Sequence, residues 1–305
     1  CIRDRSVGIV LVTYNRAQLL TQALKSLCAQ TYRRDVALYI IDNASTDNTA
    51  AVIRPFLQDN IHYICNQRNI GGAGGFHLGA KIAFQAGHEW VWLMDDDIVC
   101  ASDCLEKLLN YPHEKVLMPA REDREGHLSE FSALHYDLTN PFRIRPKRLR
   151  VIDKYKSRDK LPELLNIENF SFEGVLIHHS VIDKVGLPFA EYFISGDDVD
   201  YAIRILRHNF KISLVREAKI VRLLPFQQQL ALRTWKGRFM YRNMFVIHFL
   251  YGKNWAVRLK PYILMTGAFL LGKLRKNNAL SFGLLKEARV LSRLIKKRHA
   301  QELCP

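Results

Sequence analysis

The stretch Trp90-Val-Trp-Leu-Met-Asp-Asp-Asp97 is the most informative part of this sequence. Its first five residues are an apolar run of the length expected for a buried strand. Three carboxylates follow at once, and carboxylates placed side by side repel one another. A divalent cation relieves this repulsion, because hard cations prefer oxygen ligands. The stretch predicts a buried strand with a metal site at its carboxyl end, with a solvated loop and an N-cap aspartate as the structural alternative.

The residues before this stretch alternate apolar runs with segments of helical periodicity. Strands are predicted over residues 7–12, 37–41, 61–64 and 90–94, and helices over residues 18–30, 48–57 and 79–87. This alternation predicts an α/β fold in which helices cover a parallel sheet through right-handed crossovers. The carboxyl ends of such strands meet at one edge, where ligands bind.

The second half of the chain has a different pattern. Residues 121–160 are polar and basic, including Arg143, Arg145, Lys147, Arg148 and Arg150, so we expect loops and short strands projecting from the sheet. A further strand is predicted over residues 170–178 and a helix over residues 198–207. From Pro225 onward the pattern is helical throughout.

The positive charge is concentrated in the last part of the chain. The chain has a formal net charge of +15, and residues 251–305 hold twelve Lys and Arg against two Glu, a net +10. This asymmetry predicts an anionic partner, either lipid or nucleic acid. Because no nucleic-acid recognition motif accompanies the charge, we expect an anionic membrane surface and no nucleic acid.

Residues 284–298 supply the candidate membrane contact. In a helix, Leu284, Ala288, Leu291 and Ile295 share one face, and basic residues lie toward the other. A basic amphipathic helix of this kind rests on an anionic bilayer. The alternative is a helix packed on the domain with a solvated basic face.

The cysteines and the apolar runs indicate the compartment. The six cysteines are scattered without a CxxC pair, which is typical of a reducing cytosol. We find no signal-peptide pattern, and the longest mostly apolar stretch, residues 262–272, is shorter than the ~20 residues that span a bilayer. We therefore expect a cytoplasmic protein attached peripherally to the inner face of the cell membrane.

Small polar groups follow the first two predicted strands, as Thr13-Tyr-Asn-Arg16 and Asp42-Asn-Ala-Ser-Thr-Asp47. Nucleotides bind at such strand ends, and the Asp42 carboxylate can accept from a base imide or a ribose hydroxyl. For residues 45–47, capping of a turn and a helix is the favoured interpretation.

A glycine-rich stretch, Arg68-Asn-Ile-Gly-Gly-Ala-Gly-Gly-Phe76, follows the third predicted strand. Glycines let the backbone approach a ligand, and N–H groups at the start of a helix suit phosphate. The stretch lacks the Lys-Ser/Thr of a P-loop and the spacing of a dinucleotide fingerprint. We expect a ligand-binding loop over residues 69–75.

Taken in order, these four motifs resemble those of the family 2 glycosyltransferases, and the glycine run with a triple aspartate is similar to the galactofuranosyl- and rhamnosyltransferase branch. The similarity covers residues 6–250. It implies a single nucleotide-sugar-binding domain of the GT-A type, with a mixed, mostly parallel central sheet. We expect this domain over residues 1–224, with a nucleotide-binding half at 1–115 and an acceptor half at 116–224, and a basic helical region at 225–305.

The resemblance also implies a set of site residues. A divalent cation, Mg²⁺ or Mn²⁺, would lie on Asp95 and Asp97. The segment Ile194–Arg204 resembles the acidic motif of relatives in which the second aspartate is the catalytic base. Asp198 matches that base and Asp197 lies beside it, although N-capping is the structural alternative for Asp197. Donor contacts are implied for Thr13, Tyr14, Asn15, Arg16, Asp42, Arg68, Asn69, Gly71, Gly72, Asp95 and Asp96.

One position departs from the family pattern. Relatives often carry a histidine that completes the metal site, and Leu223 stands at that position. Either the alignment slips, another group or water completes the shell, or the dependence on metal is weakened. In the last case Arg222 is the candidate for neutralising the leaving diphosphate.

The implied activity is an inverting sugar transfer, with UDP-galactofuranose favoured as donor over dTDP-rhamnose. The acceptor would be a lipid-linked glycan in surface polysaccharide assembly, such as O-antigen or capsule. A hypothesis of another class is a non-catalytic assembly partner that binds nucleotide or glycan, which the missing histidine favours.

Overall fold

The computed structural model describes residues 5–143, 146–225, 228–270 and 281–302, with the main chain alone for residues 228, 229, 301 and 302. A mixed sheet lies at its centre. Within the described residues it has nine strands in the order β3-β2-β1-β4-β10-β6-β11-β5, and β9 also pairs with β11. The strands of the molecule are β1 (Val7–Thr13), β2 (Val36–Asp42), β3 (Ile61–Cys65), β4 (Trp90–Asp95), β5 (Ile98–Cys100), β6 (Val116–Glu122), β7 (Ala133–Tyr136), β8 (Lys147–Arg150), β9 (Leu164–Asn166), β10 (Val175–His178) and β11 (Ser213–Arg222).

Helices cover both faces of this sheet and form the end of the chain. They are α1 (Ala17–Cys28), α2 (Thr49–Ile53), α3 (Gly71–Gln85), α4 (Cys104–Leu109), α5 (Val151–Lys154), α6 (His179–Val185), α7 (Asp197–Arg207), α8 (Gln228–Ala231), α9 (Lys236–Tyr251), α10 (Trp255–Leu270) and α11 (Phe282–Glu302). Short 3₁₀ turns occur at Arg54–Phe56, Arg158–Lys160 and Ala190–Tyr192. The helical pattern predicted after Pro225 is confirmed in the described residues.

The parallel half of the sheet aligns the predicted motifs. Strands β3, β2, β1 and β4 are parallel, and every residue of β1 is buried because helices cover both faces. In register, Thr13 lies opposite Asp42, and Val12 lies opposite Asp95. The polar ends of three strands therefore meet at one edge. Strand β10 is antiparallel to β4 and makes the sheet mixed.

The glycine-rich stretch is mostly helix, so the loop predicted over residues 69–75 is wrong. Helix α3 begins at Gly71 and lies very close to β1. A Cβ on Gly75 would lie 2.6 Å from Cγ1 of Val12, and one on Gly79 would lie 2.2 Å from Cγ1 of Val10. Gly75 and Gly79 are therefore required by the close contact between α3 and β1.

The C-terminal helices pack on the α/β part of the molecule. Leu284, Ala288, Leu291 and Ile295 of α11 are buried in a cluster with residues of α9 and with Phe189. The apolar face that was expected to rest on a membrane is therefore covered by protein, and the packed-helix alternative describes this face. Among the described residues, no helix combines the length and apolarity that crossing a bilayer requires.

The basic segment forms a small projecting unit. Strands β7 and β8 pair antiparallel in a separate two-stranded sheet, as the prediction of short strands over residues 121–160 anticipated. The loop between them is bonded to the connection between α9 and α10, where the Leu138 carbonyl accepts from the Lys253 N–H at 3.0 Å. Arg145 of the basic cluster lies outside the described residues.

Candidate active site

The aspartate triplet occupies the tight turn between β4 and β5. One carboxylate oxygen from each of Asp95, Asp96 and Asp97 lies within 4.8 Å of the others. Asp95 is half-buried, while Asp96 and Asp97 are 1% and 8% exposed. The strand thus delivers three carboxylates to the sheet edge with little water around two of them.

Asp96 ties the triplet to the first strand. Its carboxylate accepts from Oγ1 of Thr13 at 2.8 Å and from Nη1 of Arg16 at 2.9 Å. The same Arg16 nitrogen lies 3.6 Å from Oδ2 of Asp97. Both oxygens of Asp96 serve the protein itself, so Asp95 and Asp97 are the better candidates for a cation.

The two outer carboxylates have the properties of a cation site. Burial, with the charge of Asp96 beside it, raises the pKa of Asp95 to about 7. Burial also raises the pKa of Asp97 to about 7, with Asp95 and Glu173 adding to the effect. Oδ1 of Asp97 is buried and accepts no hydrogen bond from the described residues. A buried acceptor without a donor is costly, so this donor set fits Mg²⁺ or Mn²⁺.

Leu223 lies directly beside the triplet. Its N–H donates to the main-chain carbonyl of Asp97 at 2.8 Å, and Arg222 pairs with Ile98 in the β11–β5 register. The position at which a metal-completing histidine was expected is therefore next to the carboxylates, and an apolar side chain, 9% exposed, occupies it.

The end of β2 is held in a network that the sequence did not indicate. Asp42 is 1% exposed and accepts from the hydroxyl of Tyr63 at 2.7 Å and from the N–H of Ser45 at 2.9 Å. Tyr63 was missed because β3 carried no polar motif of its own. A carboxylate has about four lone-pair sites, so Asp42 retains capacity for a ligand.

The loops after β1 and β2 brace one another. Asn15, with a positive φ of 52°, donates its N–H to Oγ of Ser45 at 2.9 Å and accepts from the N–H of Thr46 at 2.7 Å. Asp47 accepts from the N–H of Ala17 at 3.1 Å at the start of α1. These bonds fit the capping interpretation of residues 45–47. Tyr14, in the loop after β1, and Arg68, in the loop after β3, are exposed.

The start of α3, in the glycine-rich stretch, contacts the turn before α7. Gly71 has a φ of +77°, and a Cβ there would lie 2.0 Å from the carbonyl oxygen of Phe193, which accepts from the N–H of Ala73 at 3.1 Å. Oδ1 of Asn69 accepts from the N–H of Gly71 at 2.8 Å. A Cβ on Gly72, by contrast, would meet nothing within 4 Å. Gly72 is the glycine of this run that has room beside it for a ligand.

The acidic motif begins helix α7. Gly196, with a φ of +92°, is the N-cap residue and precedes the first helical residue, Asp197. Asp198 follows, and its Oδ1 accepts from the N–H of Val199 at 2.7 Å. Burial raises the pKa of Asp198, while the positive charge of Lys147 on β8 opposes the rise. A carboxylate of raised pKa at the start of a helix is suited to accept a proton.

Asp200 has a structural role. It is fully buried and accepts from the hydroxyls of Tyr192, at 2.9 Å, and of Tyr251. It also pairs with Nε of Arg204 at 2.8 Å. These bonds tie α7 to α9 and to the turn that contains Tyr192.

A buried charge network was missed by the sequence analysis. Glu173, just before β10, is ion-paired with both Arg121 and Arg222, and Arg121 also pairs with Glu130 at 2.9 Å. Burial opposes ionisation, yet the two guanidinium groups hold the pKa of Glu173 below its usual value. The negative charge of Glu173 acts on Asp97 and on Asp198. The charge of Glu173 therefore raises the pKa of a carboxyl of the candidate cation site and that of the candidate base.

Comparisons with known proteins agree with the motifs. Residues 8–185 match the family described as Glycosyl transferase family 2. The chain is 30% identical over 214 residues to the galactofuranosyltransferase GlfT1 of Mycolicibacterium smegmatis, a match that covers 66% of this chain and 65% of that protein. It is 23% identical over 224 residues to the dTDP-rhamnosyl transferase RfbF of Shigella flexneri, covering 72% of this chain and 69% of that protein.

The fold is also that of a solved structure. The chain resembles a crystal structure of GalNAc-T7 with UDP, GalNAc and Mn²⁺, with a TM-score of 0.67 and 14% identity over 93% of this chain and 56% of that one. A likeness at this identity shows the fold alone. The predicted GT-A fold and the predicted branch are confirmed. The chain belongs to glycosyl transferase family 2.

Proposed function

We propose that the chain is a glycosyltransferase that moves a sugar from a nucleotide-diphosphate donor to an acceptor hydroxyl. The observation that carries this proposal is the cluster of Asp95, Asp96 and Asp97 at the carboxyl end of β4, where one carboxylate oxygen from each lies within 4.8 Å of the others, together with Asp198 in the first turn of α7. A carboxylate pair for a cation and a separate carboxylate of raised pKa are the two parts that the reaction needs. Membership of family 2 supports the same activity.

The donor would lie along the ends of β1, β2 and β4. Tyr14, Asn15 and Arg68 would contact the nucleotide from the exposed side, and Asp42 would accept from the base or the ribose. Thr13 and Arg16 would act through Asp96, which they hold in place. Asn69, Gly71 and Gly72 would accommodate the diphosphate and the sugar at the start of α3.

Asp95 and Asp97 would hold Mg²⁺ or Mn²⁺. When bound, this cation supplies positive charge for the leaving diphosphate. The chain's own contribution is to place the two carboxylates at the end of a rigid strand and to neutralise the third one, Asp96, with Arg16. Leu223 adds no ligand, so the protein part of the shell consists of carboxylates.

Asp198 would act as general base in an inverting displacement. It takes the proton of the acceptor hydroxyl as that oxygen bonds to the anomeric carbon, and the bond from this carbon to the diphosphate oxygen breaks on the opposite side. Asp197, 5% exposed, lies next to it, and the positive charge of Lys147 opposes the rise in the pKa of Asp198.

The donor favoured is UDP-galactofuranose, followed by dTDP-rhamnose. The 30% identity to a galactofuranosyltransferase and the 23% identity to a rhamnosyltransferase support this order. The acceptor would be a lipid-linked glycan in bacterial-type surface polysaccharide assembly, such as O-antigen or capsule. The basic C-terminal helices would hold the protein peripherally at the cytoplasmic face of the membrane.

A donor screen tests this function. Nucleotide release is measured from UDP-galactofuranose, dTDP-rhamnose, UDP-galactose and UDP-glucose, with Mn²⁺ or with chelator, in the presence of a lipid extract as acceptor source. Release from one donor that chelator abolishes supports the proposal with its cation site. If release continues in the presence of chelator, the chain is still a transferase, but side chains instead of a cation stabilise the leaving group.

A second candidate is a non-catalytic partner in glycan assembly that binds nucleotide or glycan. The apolar Leu223 beside Asp97 is the observation that favours it. This candidate predicts that a nucleotide diphosphate binds while every donor in the screen stays intact.

A further inference from the structure

An exposed apolar surface lies on helices α10 and α11, away from the face of α11 that is buried. Ile263 and Leu270 of α10 are 62% and 77% exposed, and Phe282 and Val290 of α11 are 52% and 57% exposed. Between the two helices is a cavity of about 460 Å³. A neighbouring cavity of about 430 Å³ shares Tyr262 and Thr266 with it and extends along α10 to Leu270. The two cavities form one groove, hereafter the α10–α11 groove.

Cationic side chains line one side of this groove. Lys286, Arg289 and Arg293, spaced three and four residues apart on α11, border the first cavity, and no acidic residue of the described chain lines either cavity. The guanidinium of Arg289 lies 4.9 Å over the ring of Phe249, which holds it against the apolar floor. An apolar channel with a cationic rim is complementary to a chain that ends in an anionic group.

We infer that the α10–α11 groove is a docking site for an anionic phospholipid of the membrane surface. Its acyl chain would lie on Tyr262, Ile263 and Val290, and its phosphate would meet Lys286, Arg289 and Arg293. The inference rests on the membrane attachment proposed above, but not on sugar transfer. It places the contact on the opposite side of α11 from the face that sequence periodicity indicated.

The position of α10 connects this surface with the acceptor half. Nδ2 of Asn254, just before α10, donates to the carbonyl of Thr139 at 2.7 Å, and Nζ of Lys260 on α10 donates to the carbonyl of Arg143. Both carbonyls belong to the loop of the β7–β8 hairpin, and Lys147 of β8 acts on Asp198. Lipid docking would thus bring the acceptor side of the molecule to the bilayer, where a lipid-linked acceptor resides.

Vesicle sedimentation of the full chain tests the inference. The vesicles are pure phosphatidylcholine or phosphatidylcholine mixed with phosphatidylglycerol, and both lack any lipid-linked glycan. The charge variant is Lys286→Glu/Arg289→Glu/Arg293→Glu. Its control, Lys25→Glu/Lys81→Glu/Lys211→Glu, changes the net charge equally at exposed lysines of the α/β part.

A second pair of variants tests the apolar floor without changing charge. Ile263→Asn/Val290→Asn alters the groove, while Leu57→Asn replaces a leucine, 45% exposed, on the α/β part. We expect the natural chain and both controls to bind the mixed vesicles. Each groove variant should bind at least about tenfold more weakly, a change of about 1.4 kcal/mol. Circular dichroism establishes that every variant is folded.

Three results would overturn the inference. These are no binding of the natural chain to the mixed vesicles, equal losses in the groove and control variants, or binding that appears only after a lipid-linked glycan is added. The last would make the acceptor itself the occupant. A chain that binds the mixed vesicles through the groove but leaves every donor intact would refute the transferase and not the lipid site.

Discussion

The N–H of Leu223 donates to the main-chain carbonyl of Asp97 across 2.8 Å. This bond joins the residue that follows β11 to the turn that carries three carboxylates, so the backbone at position 223 lies beside the candidate cation site. In this chain the side chain is apolar. The bond makes position 223 the place where the cation affinity of the protein can be changed by a single substitution.

Leu223→His should strengthen Mn²⁺ binding. A neutral imidazole is a common metal ligand and would add a nitrogen donor to the oxygens of Asp95 and Asp97, and we expect a gain of about tenfold in affinity, or about 1.4 kcal/mol. Isothermal titration with Mn²⁺ at constant pH measures the gain. Leu224→His, at a neighbouring residue that is 37% exposed, is the control and should change little. Equal effects in both variants would show that position 223 does not face the cation.

Gly72→Ala should lower donor affinity without lowering stability, whereas Gly75→Ala should lower stability. A Cβ at Gly72 meets nothing within 4 Å, so the fold should keep its stability while donor affinity falls, because the methyl group occupies space needed by the ligand. A Cβ at Gly75 lies 2.6 Å from Cγ1 of Val12, so we expect a loss of about 1–3 kcal/mol in the free energy of unfolding. Urea denaturation and nucleotide titration measure the two quantities. A destabilised Gly72→Ala with unchanged donor affinity would remove Gly72 from the site.

Glu173→Gln should destabilise the fold strongly. It removes the negative charge between two buried guanidinium groups, and breaking a buried ion pair from one side costs about 3 kcal/mol. Urea denaturation measures the loss, and Glu217→Gln, at an exposed glutamate, serves as control with an expected change below about 0.5 kcal/mol. The double variant Glu173→Gln/Arg222→Gln should recover part of the loss. Losses that simply add would mean that Glu173 and Arg222 do not interact.

Lys147→Met should move the acid limb of the pH–rate profile to higher pH. Asp198 must be ionised to act as base, burial raises the pKa of Asp198, and the charge of Lys147 counteracts this rise. The charge of Glu173 shifts the pKa of Asp198 in the same direction as burial. Without Lys147, the pKa of Asp198 rises further. As the pH is lowered, Asp198 is then protonated, and activity is lost, at a higher pH than in the natural chain.

We expect this shift to be about one pH unit, which corresponds to ~1.4 kcal/mol. The measurement is kcat as a function of pH with saturating donor. Lys156→Met, at an exposed lysine, should leave the limb unchanged. A limb that stays in place, or moves to lower pH, would show that the charge of Lys147 does not act on the base.

The strand-end motifs could be predicted because parallel strands buried on both faces are nearly continuous apolar runs with short polar ends. The run before Asp95 has this form. Strand β1 pairs with β2 on one side and with β4 on the other, which brings Asp42 and Asp95 to the same edge of the sheet. The start of α3 could not be predicted in the same way. Glycine is a poor helix former, and the contacts of Gly71 with Phe193 and of Gly75 with Val12 explain why it is required there.

The other features that could not be predicted are contacts between residues that are distant in sequence, both ion pairs and apolar packing. Arg121, Glu173 and Arg222 are far apart in sequence, and nothing in their local pattern indicates that three strand ends bring them together. The periodicity of α11 was predicted correctly, but periodicity identifies an apolar face without identifying its partner. That partner is α9, and the exposed apolar residues lie elsewhere on the helix.

The most direct test of the account compares the natural chain with Asp198→Asn, using the donor that the screen selects and a lipid-linked acceptor. Donor affinity is measured by titration and transfer by nucleotide release in a single turnover. We expect unchanged donor affinity and a loss of transfer of at least about 100-fold, the usual contribution of a general base. Equal transfer by the two proteins would contradict the assignment of Asp198, and the absence of transfer by the natural chain would contradict the proposed activity itself.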